Sequence, residues 1–160
     1  MQITSTNQPD KDKPQFADPV HALFNMRVFY ATDDGVIDAG RRFKCDRVFA
    51  VTVLEVIEKW CLKYGFGMVH LGCYNPRFAR HKNGTEITPR RWSNHAYGLA
   101  IDFKGIKDNN GKYISFEMME TACPAKLHEL IGNIKTAIVA KGRKPELVNE
   151  GQWLHLGIWK

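Results

Sequence analysis

No apolar run in the chain approaches the roughly 18 residues that span a bilayer. The opening stretch, MQITSTNQPDKDKPQF, lacks the apolar segment of a secretory leader. The protein is therefore expected to be made in the cytoplasm without a signal peptide and to carry no transmembrane segment. Closely spaced cysteine pairs are missing as well. Cys45, Cys61, Cys73 and Cys123 lie too far apart for a C-x-x-C metal knuckle, and a chain of 160 residues does not need disulfide stapling. They read as reduced, mostly buried thiols. Internal repeats and low-complexity tracts are also lacking. With 44% hydrophobic and 25% charged residues, the composition excludes collagen-like, coiled-coil and wholly disordered classes and fits one domain with a buried core.

Positive charge is what the chain has in surplus: 23 Lys and Arg against 17 Asp and Glu give a formal charge of +6. That balance favours anionic partners, whether nucleic acid, anionic lipid or the acidic polymers of a cell wall, and does not choose among them.

Residues 1–15 are polar and aperiodic and read as a flexible or surface-draped lead-in, leaving 16–160 as a single domain. Weak alternation over 26–31, then Asp33-Asp34-Gly35 and Val36-Ile37, predicts a short hairpin. From Asp46 to Tyr64 the apolar residues fall at helical spacing, with Asp46 as N-cap and Gly65 as stop. A buried strand is expected over 66–73. Residues 74–97 carry two prolines and a cluster of Arg and Lys without a period, so they form a long loop of the kind that binds or catalyses. A strand at 99–103 ending at Gly105, a helix from Pro124 to about residue 140, and closing strands near 146–149 and 152–159 complete the pattern. The expected fold class is α+β, a small, mostly antiparallel sheet with helices packed on it.

Two residues are out of place in that pattern. Asp102 interrupts an apolar strand, where an unpaired carboxylate is costly to bury. His155 does the same within Trp153-Leu154-His155-Leu156. Strand alternation puts Ala100 and Asp102 on one face and Leu99, Ile101 and Phe103 on the other, and it separates His155 from Leu154, Leu156 and Ile158 in the same way. If the strands are neighbours, Asp102 and His155 converge on one polar face. His95, seven residues before Asp102, must reach them from the turn built by Ser93-Asn94 and Gly98. His, Asp and His are the donor types of a catalytic zinc, which keeps a fourth position open.

The run Ser93-Asn94-His95-Ala96-Tyr97-Gly98-Leu99-Ala100-Ile101-Asp102 resembles the S-x-H-x-x-G-x-A-x-D signature of the zinc D-Ala-D-Ala carboxypeptidase and L-Ala-D-Glu endopeptidase family, which includes many phage endolysins. Gly72-Cys73-Tyr74-Asn75-Pro76-Arg77 is similar to the family's arginine-bearing segment, and Trp153-Leu154-His155 to its C-terminal Trp-x-His. The resemblance covers residues 48–160. It implies Zn2+ held by His95, Asp102 and His155, with Arg77 gripping a substrate carboxylate or the developing oxyanion and Arg80 as its rival. A carboxylate must then carry the proton to the leaving amine. The family's acid stands three residues before the second histidine, but that position is Gln152 here, and Glu150 is the nearest substitute if a bend at Gly151 swings it inward.

Ser93 is either a ligand contact or a turn-stabilising hydroxyl, and Trp92, Tyr97 and Trp153 either line a cleft or belong to the core. His70 reads as a hydrogen-bonded core histidine, and His21, His81 and His128 as exposed. The resemblance implies a peptidase acting on the stem peptides of bacterial peptidoglycan, at the wall after release or as part of a virion, and the chain is expected to be a monomer. The alternative is a wall-binding protein that keeps the zinc fold without turnover, which Gln152 keeps open. A nucleic-acid surface on the basic loop ranks last, because it leaves Asp102 and His155 unexplained.

Overall fold

The computed structural model describes residues 1–8 and 11–160. In chain order it runs β1 (Gln2–Ser5), β2 (Pro19–Leu23), β3 (Val28–Thr32), β4 (Gly35–Asp38), β5 (Arg42–Asp46), α1 (Arg47–Phe49), a π-helical stretch (Ala50–Leu54) and α2 (Glu55–Tyr64). There follow β6 (Gly67–Gly72), a 3-10 turn (Asn94–Tyr97), β7 (Ala100–Lys107), β8 (Tyr113–Ser115), α3 (Phe116–Ala122), α4 (Pro124–Ala140), β9 (Pro145–Asn149) and β10 (Leu154–Ile158).

The architecture is α+β, as expected, but with two sheets. Strands β1-β2-β5 form a three-stranded antiparallel sheet, and β4-β3-β6-β7-β10-β9 form the backbone of a seven-stranded one to which β8 adds along β7. In the larger sheet β3 and β6 run parallel and the other pairs are antiparallel. The sheet is thus mostly antiparallel yet larger than the sequence suggested, because short strands far apart in the chain join it.

Local chemistry explains the elements that the sequence announced. Thr32 pairs with Gly35 across Asp33-Asp34, closing the predicted hairpin. Asp46 caps α1 by accepting a bond from Val48 N at 3.0 Å, and its other oxygen accepts from Asp18 N. The helical run continues through the π-helical stretch, where the Thr52 hydroxyl bonds back to Val48 O. It ends at Gly65. Phe49, Val53, Leu54 and Ile57 from this run and Leu127, Leu130, Ile134 and Ile138 from α4 are buried in one core with Ile101, Phe103, Leu154, Leu156 and Ile158 of the sheet.

The structure adds detail at three places. The lead-in follows the surface-draped alternative: Gln2–Ser5 pairs along β2, and the Gln8 amide is bonded to both the N–H and the carbonyl of Phe16. Residues 9 and 10 of that lead-in lie outside the described residues. The strand at 99–103 does not end at Gly105 but continues to Lys107, because β8 supplies a partner there, with Gly105 opposite Ser115. Helix α3 was not foreseen. It has seven residues, too few for a legible period, and only Phe116 and Met119 of it are buried.

Among the described residues no helix is long and apolar enough to cross a membrane. All four thiols are free. Burial pushes the Cys45 thiol up to about 12, with the neighbouring Asp46 adding to the effect, which removes it from nucleophilic chemistry at neutral pH.

Candidate metal centre

The register of three strands builds the floor of the site. His155 lies opposite Asp102 on β7 and Val148 on β9, while Gly157 lies opposite Ala100 and Glu146. Alternation therefore gathers Asp102, His155 and Glu146 on the polar side of strands whose Ile101, Phe103, Leu154 and Leu156 feed the core. The Ala100 and Gly157 positions are small for a reason: a Cβ on Gly157 would stand 3.1 Å from His155 Nε2 and 3.2 Å from the Ala100 Cβ.

The third ligand candidate descends from the turn before β7. Asn94–Tyr97 forms a single 3-10 turn capped by Gly98 at φ +67°, whose N–H returns to the carbonyls of Asn94 and His95. Gly98 is required twice over. Its left-handed backbone favours glycine, and a Cβ would come within 2.8 Å of Asp46 N and 2.9 Å of the Phe16 ring. This close packing fixes the turn and aims His95, only 2% exposed, at β7.

Each histidine has one nitrogen tied to an acceptor and the other near Asp102. His95 Nδ1–H donates to the Cys73 carbonyl at 2.7 Å, leaving Nε2 at 3.2 Å from Asp102 Oδ1. His155 Nδ1 lies 3.1 Å from the same Oδ1, while its Nε2–H donates to Glu146 Oε2 at 3.1 Å. Glu146 Oε2 also accepts from the Asn94 side-chain amide. The donor atoms of His95, Asp102 and His155 all lie within 4.8 Å of one another.

Neighbouring donors around a tetrahedral ion with bonds of 2.0–2.2 Å stand about 3.4 Å apart. Two of the three spacings here are already close to that value. In the chain by itself the electrostatics are those of a charged knot. Burial works against the Asp102 charge, but hydrogen bonds from His155 and His95 outweigh it and hold the carboxyl well below the usual carboxylate range. Burial likewise works against charge on His155, yet its bonds to Asp102 and Glu146 raise it to about 9. A cation is thus already favoured at this point.

The group opens into a cavity of about 230 Å3 lined by Arg77, Arg80, Lys82, Arg91, Ser93, Asn94, His95, Glu146, Glu150 and His155, among others. Of the residues singled out from sequence, Arg77, Arg80, Ser93 and Glu150 line this cavity. Arg77 is exposed, and its carbonyl accepts from Ser93 N at 3.0 Å, which ties the arginine loop to the histidine turn. Glu150 enters through the tight turn between β9 and β10: Glu150 N donates to Trp153 O at 3.0 Å, and Gly151 N donates to Asn149 Oδ1. Ser93 is buried, and its Oγ has no partner among the described residues. Gln152 is exposed, and its carbonyl accepts from Lys104 Nζ.

Other expected residues lie elsewhere. Tyr97 faces a different cavity, of about 260 Å3, beside Gln15, Val48 and Arg143, with Lys160 Nζ 4.0 Å from its ring centre. Trp153 is half-buried and absent from the lining of the site cavity, and Trp92 stacks on Phe78 with ring centres 4.2 Å apart. His81 and His128 are exposed as expected, whereas His21 is half-buried and accepts a bond from Arg42. His70 is buried, but not as a hydrogen-bonded histidine. Neither ring nitrogen has a partner among the described residues, and the ring packs edge-on against Phe43 and Tyr30 at 4.8 and 5.4 Å between centres.

Sequence reasoning missed Glu146 and Asn94. The signal for Glu146 lay in strand pairing: once Gly151-Gln152 is taken as the turn, Val148 falls opposite His155 and Glu146 two residues further along the same face. In comparisons of the chain with family models, with curated proteins and with solved structures, no family model, no curated protein and no solved structure matches it.

Proposed function

We propose that this protein is a zinc-dependent peptidase that hydrolyses the stem peptides of bacterial peptidoglycan, with His95 Nε2, Asp102 and His155 Nδ1 as the metal ligands. The observation that carries the reading is the orientation of both histidines. Each has its remote nitrogen held by an acceptor, Cys73 O or Glu146 Oε2, and its near nitrogen beside a shared carboxylate oxygen. That is the outer hydrogen bonding by which ligating histidines are oriented. The donor set of two imidazoles and one carboxylate suits zinc with an open position. Zinc, when bound there, supplies the Lewis acidity that activates water and polarises a scissile carbonyl.

The remaining roles fall to residues along the cavity. Arg77, with Arg80 beside it, meets a substrate carboxylate or the oxygen on which charge develops. Glu150 takes the proton and passes it to the leaving amine, in the place where Gln152 cannot. Ser93 Oγ, buried without a hydrogen-bond partner among the described residues, is available to a bound ligand. The resemblance of residues 93–102 to the D-Ala-D-Ala carboxypeptidase and L-Ala-D-Glu endopeptidase signature supplies the substrate class. A basic chain working at the anionic wall, as a phage-type endolysin does, accords with its +6 charge.

Incubating zinc-loaded and chelated protein with purified peptidoglycan, and identifying the released ends by mass spectrometry, tests the reading. New termini that vanish on chelation are expected, and their identity names the bond. Intact walls of several chemotypes despite bound zinc would favour the second reading, a wall-binding protein without turnover, for which the exposed Gln152 speaks.

A further inference from the structure

Like Asp102, Glu146 makes contacts that reach both histidine-bearing elements, and it lines the cavity. Its Oε2 accepts from His155 Nε2 on β10 and from the side-chain amide of Asn94, the residue that precedes His95 in the 3-10 turn. It lies on β9, held in register by the backbone pairing of Glu146 with Gly157. Among the described residues it is not part of the group whose donor atoms lie within 4.8 Å of one another; that group is His95, Asp102 and His155.

We infer that Glu146 is the positioning residue of the metal centre: it selects the His155 tautomer with Nδ1 free for the metal and, through Asn94, ties the His95 turn to β9. This rests on the metallopeptidase reading above. The physical argument is one of tautomers. A neutral imidazole carries one proton, and whichever nitrogen faces a fixed acceptor keeps it. With Glu146 at Nε2 the proton of the neutral ring would stay there when a metal binds, and Nδ1, on the side of Asp102 Oδ1, would be the nitrogen left for the metal. Without Glu146 the Nε2–H tautomer loses its anchor, and the ring is free to rotate or to offer the wrong nitrogen. His95 needs no such side chain, since the Cys73 carbonyl does the same work from the backbone. Glu146 has a different task from Glu150, because its Oε2 is committed to two donors while Glu150 faces the cavity with no such bond among the described residues.

The test compares wild type, Glu146→Ala, Glu146→Gln and Asn94→Ala, each checked for a native circular dichroism spectrum and cooperative melting. Zinc affinity is measured by competition with a chromophoric chelator, and the His155 tautomer by imidazole 15N shifts in the zinc-loaded protein. Loss of a residue that orients a metal-bound histidine costs about 10–100-fold in metal affinity. Glu146→Ala is expected to lose that much and to blur the single His155 tautomer. Glu146→Gln, which keeps an acceptor at Nε2, is expected to restore affinity to within a few-fold of wild type, and Asn94→Ala to fall between the two. Wild-type affinity together with an unchanged His155 tautomer in Glu146→Ala would overturn the inference while leaving the zinc site standing. Failure of the wild-type protein to bind zinc would overturn both the inference and the reading on which it rests.

Discussion

Two histidines, the buried His70 on β6 and the half-buried His155 on β10 of the same sheet, have opposite surroundings. His70 is wedged between the Phe43 and Tyr30 rings with no partner among the described residues for either nitrogen, and burial pushes it down to about 4. His155 is half-buried, and Asp102 and Glu146 hold its two nitrogens and raise it to about 9. Both sit in apolar strands. What separates them is what packs beside each: the Phe43 and Tyr30 rings at His70, carboxylates at His155. Burial alone makes a histidine a neutral filler, while burial between two acids makes it part of a cation site.

The largest effect that sharpens this contrast is on metal binding. His155→Ala should abolish stoichiometric zinc, measured by atomic emission after gel filtration, and wall cleavage with it. His70→Phe should keep full zinc; loss of metal in His70→Phe would erase the distinction between the two regions. Next comes turnover. Glu150→Gln should retain zinc and lose about 10²–10⁴-fold in rate, the usual worth of a general acid–base group. Unimpaired cleavage in that variant would remove Glu150 from its role.

The two histidines should also tilt the stability of the metal-free protein in opposite directions with pH. The unfolded chain binds a proton at His70 near pH 6.5 but the folded chain only near 4, so stability held above pH 6.5 is lost as pH falls toward 4. For His155 the folded value, about 9, is the higher one. Its contribution is complete below pH 6.5 and disappears as pH rises through about 9. Each limb is worth about 3 kcal/mol. Urea unfolding of chelated protein across that range should show His70→Phe flattening the acid limb and His155→Asn flattening the alkaline one; the opposite assignment, or no change in either limb, would refute the comparison.

The smallest effect belongs to Ser93, a buried residue whose Oγ has no hydrogen-bond partner among the described residues. Ser93→Ala should change the stability of the free protein by less than about 1 kcal/mol, or raise it, because an unbonded hydroxyl is removed. If substrate supplies the missing partner, KM should rise in the same variant.

How much of this was legible in the sequence follows from how local each feature is. The helical run between Asp46 and Gly65, the hairpin at Asp33-Asp34 and α4 after Pro124 carry their own caps, turns and periods, and they form where expected. The approach of His95, Asp102 and His155 followed from alternation and one turn, given neighbouring strands. The three-stranded sheet was not legible, because Gln2–Ser5, Pro19–Leu23 and Arg42–Asp46 are short, mixed in polarity and recognisable as strands only through one another. Glu146 was hidden for the same reason. It stands at the start of a strand, and only the register between β9 and β10 turns it from an end residue into a partner of His155.

The two halves of the proposed metal centre differ in how they can be damaged. His95 is held by a main-chain carbonyl, which every residue placed at position 73 would still provide, so substitutions there that preserve the fold leave its orientation intact. The outer nitrogen of His155 is held by one carboxylate, Glu146, which a single codon change removes. Inheritance therefore protects one arm of the site by chemistry common to all residues and leaves the other to selection, so random mutagenesis screened for lost zinc should recover lesions at 146 and few at 73.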